Sequence, residues 1–363
     1  MRLLFLTDGL SPFVLGGMQQ HSTMLVKHLA PLVDHVTVMH CGNVNEPPPD
    51  DGAVLQVLGN PGNVALFGVT FEDAGRWPGH YLRASERLSQ AFLIKSGDLL
   101  QYDAIYAQGL TGSAFLKKHN RVMVNLHGLE MFQKSYSFQE FIEKQLLRPT
   151  FQVLIQKAWK NVSLGGNLTR LLSNQGAAEN SIVTIPNAIE SSWISPERRK
   201  ALTVTDSTSG NPRFVMVGRN EYRKGFHVLQ RAMTHVKRPI ELHLIGSWPN
   251  WNANPHKVVH HGIVSDKNKV FDLLDQCDIL VLPSLSEGLP TVVLEAAARG
   301  LKIIATNVGA MSDVLEKSDL LTAGDEEMLA KALSKAKGAV VKDLSPFLFE
   351  QVAEKTKMEL ERS

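Results

Sequence analysis

The chain of 363 residues carries 38 Lys and Arg against 36 Asp and Glu, a formal charge of +2 that gives no electrostatic reason to expect a nucleic-acid partner. With 44% apolar and 20% charged residues it suits a globular protein with well-formed cores, and its length exceeds one typical domain, so two domains are expected. The two cysteines, Cys41 and Cys277, each border an apolar run and read as lone buried thiols of a reducing compartment rather than as a disulfide or a metal site.

The opening MRLLFLTDG reaches Asp8 too soon for a signal peptide and reads as a first buried strand. No apolar stretch approaches the ~20 residues that span a bilayer, so the expectation is a cytoplasmic protein, at most peripheral to a membrane. Short β-branched and apolar runs follow at residues 3–7, 35–41, 54–58, 104–107 and 122–126, and again at 182–185, 214–217, 242–245, 258–261, 279–282 and 302–305. Runs of this length, apolar on both faces and separated by helical-length segments, predict strands of parallel sheets covered by helices. A polar break between residues 165 and 210, holding SSWISPERRK and TVTDSTSGNP, divides the series. One sheet of eleven strands would be unusual. The predicted fold is therefore α/β, with two Rossmann-like, doubly wound parallel-sheet domains facing across a cleft, over residues 1–165 and 166–344. The tail, residues 345–363, has a helical pattern and is expected to pack back on the first domain.

Several segments on this frame carry chemistry. Gly16 and Gly17 lie between the first strand and the helix MQQHSTMLVKHLA, where paired glycines allow close backbone approach and a helix N-terminus favours anions. As a bare pattern this is also an ordinary tight turn. His127 ends the strand RVMVNL, a position suited to a cleft, although a single His is more often structural; His260 and His261 read as core-edge or surface residues. Residues 138–160 carry Lys144, Arg148, Lys157 and Lys160 with no acid between the first and last of them. Such a stretch suits an anionic membrane surface, but with Pro149 interrupting it the preferred reading is an amphipathic helix pair on the domain surface. Gly218, Arg219, Lys224 and Gly225 follow the strand RFVMVG. After the strand DILVLP comes PSLSEGLPTVVLEAAARG, residues 283–300. Its Pro290 suits a helix start and its Gly300 a helix stop. Glu287 thus falls in a loop at the C-terminal edge of a sheet, and Glu295 on an otherwise apolar helix; one such Glu could serve the helix dipole, but two ask for more.

The setting P-S-x-x-E-G-x-P-x-x-x-L-E-A-x-A-x-G resembles the signature of the retaining glycosyltransferases of family 4, which have the two-domain GT-B fold. The resemblance implies a metal-independent transfer of a hexose-type sugar from a nucleotide-diphosphate-sugar, UDP- or GDP-linked, to a saccharide or lipid-linked acceptor. It implies that Glu287, with the backbone N–H groups of Gly288 and Leu289, binds the donor sugar, and that Glu295 accepts from the ribose. Leu289 stands where the family has Phe. Arg219 and Lys224, with Gly218 ahead of them, resemble the family's G-R-x-x-x-x-K-G element, whose cations neutralise the pyrophosphate; Arg223 is at a variable position and reads as surface charge. Gly16 and Gly17 would face the phosphates and the acceptor, and His127 the donor sugar. VTIPNAIE at 183–190 resembles the family's opening of the second domain, with Ala188 in place of Gly. TNVGAMSDVL at 306–315 resembles a G-G-x-x-E segment, with Ala310 and Asp313 departing from it, and a plain βα turn is an equal reading.

No Asp-x-Asp triplet and no metal-ligand spacing occurs, and no enzymic nucleophile stands out, so front-face displacement is preferred over double displacement. A nicotinamide dehydrogenase is disfavoured because no G-x-G-x-x-G follows a predicted strand. A nucleotide-sugar epimerase and a non-catalytic nucleotide-sugar-binding subunit remain as rivals.

Overall fold

The computed structural model describes residues 1–75, 79–199, 212–341 and 343–362. The chain divides into two compact units, Met1–Ala188 with Phe349–Ser363, and Ile189–Leu348.

The first unit is built on a seven-stranded sheet, all of it parallel, in the order β3-β2-β1-β4-β5-β6-β7. Its strands are β1 (Arg2–Leu6), β2 (His35–Cys41), β3 (Val64–Val69), β4 (Ala104–Gln108), β5 (Val122–Asn125), β6 (Lys160–Ser163) and β7 (Ile182–Thr184). The buried run Leu3–Leu6 forms the middle of this sheet, as a strand apolar on both faces must. Helix α1 (Gly17–Leu29) covers it through Leu25, Val26 and Leu29, and the C-terminal helix Phe349–Glu361 joins the same core through Phe349, Val352, Ala353 and Leu360.

The second unit holds a five-stranded parallel sheet, β10-β9-β8-β11-β12, formed by β8 (Arg213–Gly218), β9 (Glu241–Gly246), β10 (Lys257–Gly262), β11 (Ile279–Leu282) and β12 (Lys302–Ala305). In both sheets the strand order reverses beside the first strand of the unit, between β1 and β4 and between β8 and β11. Loops diverge at such a switch point and leave room at the C-terminal ends of the two strands.

Four readings of the sequence change. Residues 54–58 are not a strand but the end of helix α2 (Asp51–Leu58), started by the Asp50 carboxylate, which accepts from Ala53 N at 3.0 Å, and stopped by Gly59 in the left-handed conformation. A cap at each end outweighs a short apolar run. The neighbouring strand is Val64–Val69 instead. Strand β6 was hidden because its sequence, KNVS, is polar; Lys160 is buried against Glu359 and Asn161 donates to Ile155 O at 2.9 Å. The unit boundary consequently falls at 188/189, not 165/166, because β6, β7 and the helix between them, α5 (Asn167–Asn174), complete the first sheet. Residues 203–211 of the polar break lie outside the described residues.

Candidate active site

The switch point of the second unit gathers three loops. The turn after β8 contains Arg219–Gly225, and the loop after β11 runs through Ser284 and Glu287 into helix α8 (Thr291–Ala298), capped at Pro290. Two glycines let these loops interlock. Gly225 is left-handed, with φ 72°, and a Cβ there would stand 1.9 Å from Pro283 O; Leu285 N also donates to Arg223 O at 2.7 Å. Gly309, with φ 56°, belongs to the loop after β12, and its Cβ would stand 2.0 Å from Gly288 O. Ala310 N donates to that same oxygen at 2.9 Å, and the Thr306 hydroxyl donates to Ser284 O. Segment 306–315 is therefore more than a plain turn: it holds the backbone of Glu287 and Gly288 in place.

The side chains form one chain of opposite charges. Glu287 is buried, and its Oε1 accepts from Lys224 Nζ at 2.7 Å and from Ser284 Oγ at 2.8 Å. Arg223 Nη1 lies 3.9 Å from Glu287 Oε2, while its Nε donates to Glu221 at 2.7 Å. Arg219 also reaches Glu221, at 3.0 Å, from a side chain that is 76% exposed. The sequence-predicted pair of cations is thus split. Lys224 is matched to Glu287, and Arg219 stands in solvent at the far end of the chain. Arg223, read as surface charge, links the two and is only 24% exposed. Its signal was its place between two residues already singled out.

Leu289 is buried beside this loop and Gly218 ends β8 next to Trp248. Glu295, on α8, has partners of its own. It is bonded to the Thr291 hydroxyl and feels Lys267, yet burial dominates and pushes its carboxyl up to about 7. Lys267 is in turn fixed by Glu190 at 2.6 Å and Ser192 at 2.9 Å.

At the switch point of the first unit the groups are neutral or unmatched. His127 takes a left-handed backbone, φ 54°, stabilised by its N–H donating to Asn125 Oδ1 at 2.9 Å. Its Nε2 lies 2.6 Å from Oε1 of Gln108, a buried residue at the end of β4, and its ring meets His21 edge-on at 5.4 Å. Burial, with His21 adding to it, pulls the His127 imidazole down to about 3, so it stays uncharged at neutral pH. His21 follows for the same reason, at about 4. Gly16 leaves room for the Gln19 amide, which would lie 2.0 Å from a Cβ there and which donates to Asp8 Oδ1 at 2.9 Å. A Cβ on Gly17 would meet nothing within 4 Å, so the protein itself does not require glycine there. Gln108, which ends β4, and Asp8, two residues beyond β1, were given no role from the sequence.

The basic segment is a single helix, α4 (Phe138–Lys157), with Pro149 inside it rather than between two helices. Its cations are largely spent on the protein. Lys144 is buried against Glu140 at 2.7 Å, Arg148 donates to Met131 O at 2.9 Å, and Lys160 pairs with Glu359 at 3.1 Å. The positions left exposed include Phe138, Phe141, Ile142, Leu146 and Val153. Among the described residues no helix is long and apolar enough to cross a membrane. Ala188 does not take a positive φ, so glycine is not needed there. His261 is not isolated, since its Nε2 lies 2.9 Å from His243 Nδ1.

Known proteins resemble this chain in two ways. Residues 211–337 match the family described as glycosyl transferases group 1. The putative colanic acid biosynthesis glycosyl transferase WcaC of Escherichia coli is 35% identical over 124 residues, 34% of this chain and 30% of that protein. The chain spans about a third to a half of the length of the curated relatives it matches. Sucrose-phosphate synthase of Thermosynechococcus elongatus has a similar structure, with TM-score 0.71 and 17% identity, covering 99% of this chain and 94% of that one. Anabaena Alr3699/HepE in complex with UDP and glucose matches with TM-score 0.61 and 17% identity, again over 99% and 94% of the two chains. These likenesses give the GT-B fold.

Proposed function

We propose, from the match of residues 211–337 to the group 1 glycosyl transferases, that the whole chain moves a hexose-type sugar from a nucleotide-diphosphate-sugar to a saccharide or lipid-linked acceptor, with retention and without a divalent cation. The observation that carries this reading is the pairing of Lys224 with the buried Glu287 at the β8/β11 switch point. A carboxylate that accepts from hydroxyls and a cation that donates to phosphate oxygens stand within one hydrogen bond of each other, as the sugar and diphosphate of a donor require. On donor binding, Lys224 turns part of its charge to the pyrophosphate and frees Glu287 for the sugar hydroxyls. Arg219, exposed and tethered through Glu221, swings in to share the charge that grows on the departing diphosphate. Glu295 takes the ribose.

HepE binds UDP and glucose, which makes a UDP-linked donor the first to test and a GDP-linked one the second. The name of the colanic acid relative supports a polysaccharide acceptor. We place the reaction in the cytoplasm, at or near a membrane surface.

A thermal-shift panel of UDP, GDP and ADP with their common sugars tests the donor, because a ligand that binds only the folded state raises apparent stability by mass action. No shift with any nucleotide would defeat the reading. NMR of the product's anomeric carbon tests retention, and isomerisation of donor supplied alone would favour an epimerase instead.

A further inference from the structure

We propose that Asp8, at the C-terminal end of β1, binds a hydroxyl of the acceptor and helps decide which acceptors enter, an inference that rests on the transferase reading above. Asp8 is half-buried, and among the described residues its side chain is bonded by two neutral donors, the Gln19 amide on Oδ1 and its own backbone N–H. No cation pairs with it among those residues, whereas the comparable buried carboxylate of the second unit, Glu287, is matched by Lys224. A half-buried carboxylate bonded only by neutral donors keeps acceptor capacity for a donor from outside.

The surroundings say which kind. From α1 comes the neutral Gln19. From β2 comes the Cys41 thiol, which donates to Asp8 O at 2.8 Å and is kept protonated by burial and by Asp8 itself. From helix α3 (His80–Lys95) comes Tyr81, pushed up to about 12 by burial with Asp8 adding to it, and bonded to Ser85. Glu130 acts on Tyr81 from the turn after β5. None of these groups is a cation, so the carboxylate is not offset by positive charge from them and suits a sugar hydroxyl, which donates to a carboxylate. Tyr81 is 43% exposed, so this corner is open to solvent. Burial holds the Asp8 carboxyl at about 6, high enough for acceptor binding to respond to pH in the working range.

The probes are the methyl glycosides of glucose, galactose, mannose and N-acetylglucosamine, followed by saturation-transfer NMR in saturating UDP and, in parallel, GDP. At least one glycoside is expected to bind at pH 7.5 and to weaken about tenfold at pH 5, where roughly a tenth of a carboxyl titrating near 6 is ionised. Asp8→Asn should bind about tenfold more weakly at pH 7.5 and lose the pH response, while its thermal shift with nucleotide matches the wild type at each pH. Gln19→Leu, which removes the amide donor and raises the carboxyl further, should move the response to higher pH. Equal glycoside binding by Asp8→Asn and wild type, or no glycoside binding to the wild type, overturns the proposal. Loss of the nucleotide shift in the wild type would instead defeat the transferase reading.

Discussion

The two switch points solve the same topological problem with opposite electrostatics. Between β8 and β11 the second unit places Arg219, Glu221, Arg223, Glu287 and Lys224 in one chain of ion pairs, so that every buried charge has a partner. Between β1 and β4 the first unit uses Gln108, His127 and His21, all uncharged at neutral pH, and among the described residues no cation pairs with Asp8. A matched network can trade one anion for another, so it suits a diphosphate. A desolvated, neutral edge distinguishes hydroxyl donors by hydrogen bonding and suits a sugar.

The sharpest way to break this comparison is to unmatch the charged edge. Lys224→Met removes the nearest cation from the Glu287 carboxylate, leaving it Ser284 and the more distant Arg223, and is expected to cost about 1–3 kcal/mol in urea unfolding, whereas adding Glu287→Gln should restore part of that stability without restoring transfer. A single variant as stable as the wild type would mean that the pair is not formed in solution. Gly309→Ala forces a left-handed alanine, at about 1–2 kcal/mol, and a Cβ 2.0 Å from Gly288 O. Transfer should fall more steeply than stability, because the shifted backbone carries Glu287; unchanged turnover would show that the 306–315 loop does not position the site.

At the neutral edge, Gln108→Leu leaves His127 Nε2 buried without its partner, at about 1–3 kcal/mol measured by thermal or urea unfolding. The result should not depend on salt, unlike any change at exposed Arg219. The next effect is pH-dependent. The Glu295 carboxyl lies at about 7 in the folded protein, above its ordinary 4.5, so the folded state holds its proton more tightly. Its contribution to stability is therefore lost as pH rises from about 4.5 to 7. Ribose hydroxyls favour the ionised form, so nucleotide affinity should rise about tenfold between pH 6 and 8, and Glu295→Gln should flatten that rise. Isothermal titration across this range checks it. Smallest is Gly17→Ala, where a Cβ meets nothing; stability should stay within about 0.5 kcal/mol, and any loss of activity would then report the ligand rather than the protein.

What could be read in advance divides along physical lines. The α/β class, the doubled series of strands and the loop with Glu287 were legible because apolar runs, Pro290, Gly300 and the two glutamates are local signals. Residues 54–58 misled because apolar runs do not distinguish a short strand from a capped helix, and β6 was missed because its polar side chains find partners only from distant segments. The boundary at 188/189 followed from that omission.

At the site, sequence alone determined residue types and their order: cations after one strand, carboxylates after another, a His at a strand end. It could not determine pairing, because pairing depends on which loops meet. Tertiary structure decided that Lys224 faces Glu287 and that Arg219 stands in solvent. It also decided that Arg148 and Lys160 are bonded within the protein, and that Glu295 and Asp8 are buried enough to titrate near neutrality. Burial and charge partnership are properties of a three-dimensional neighbourhood, and they set the chemistry that the letters only permit.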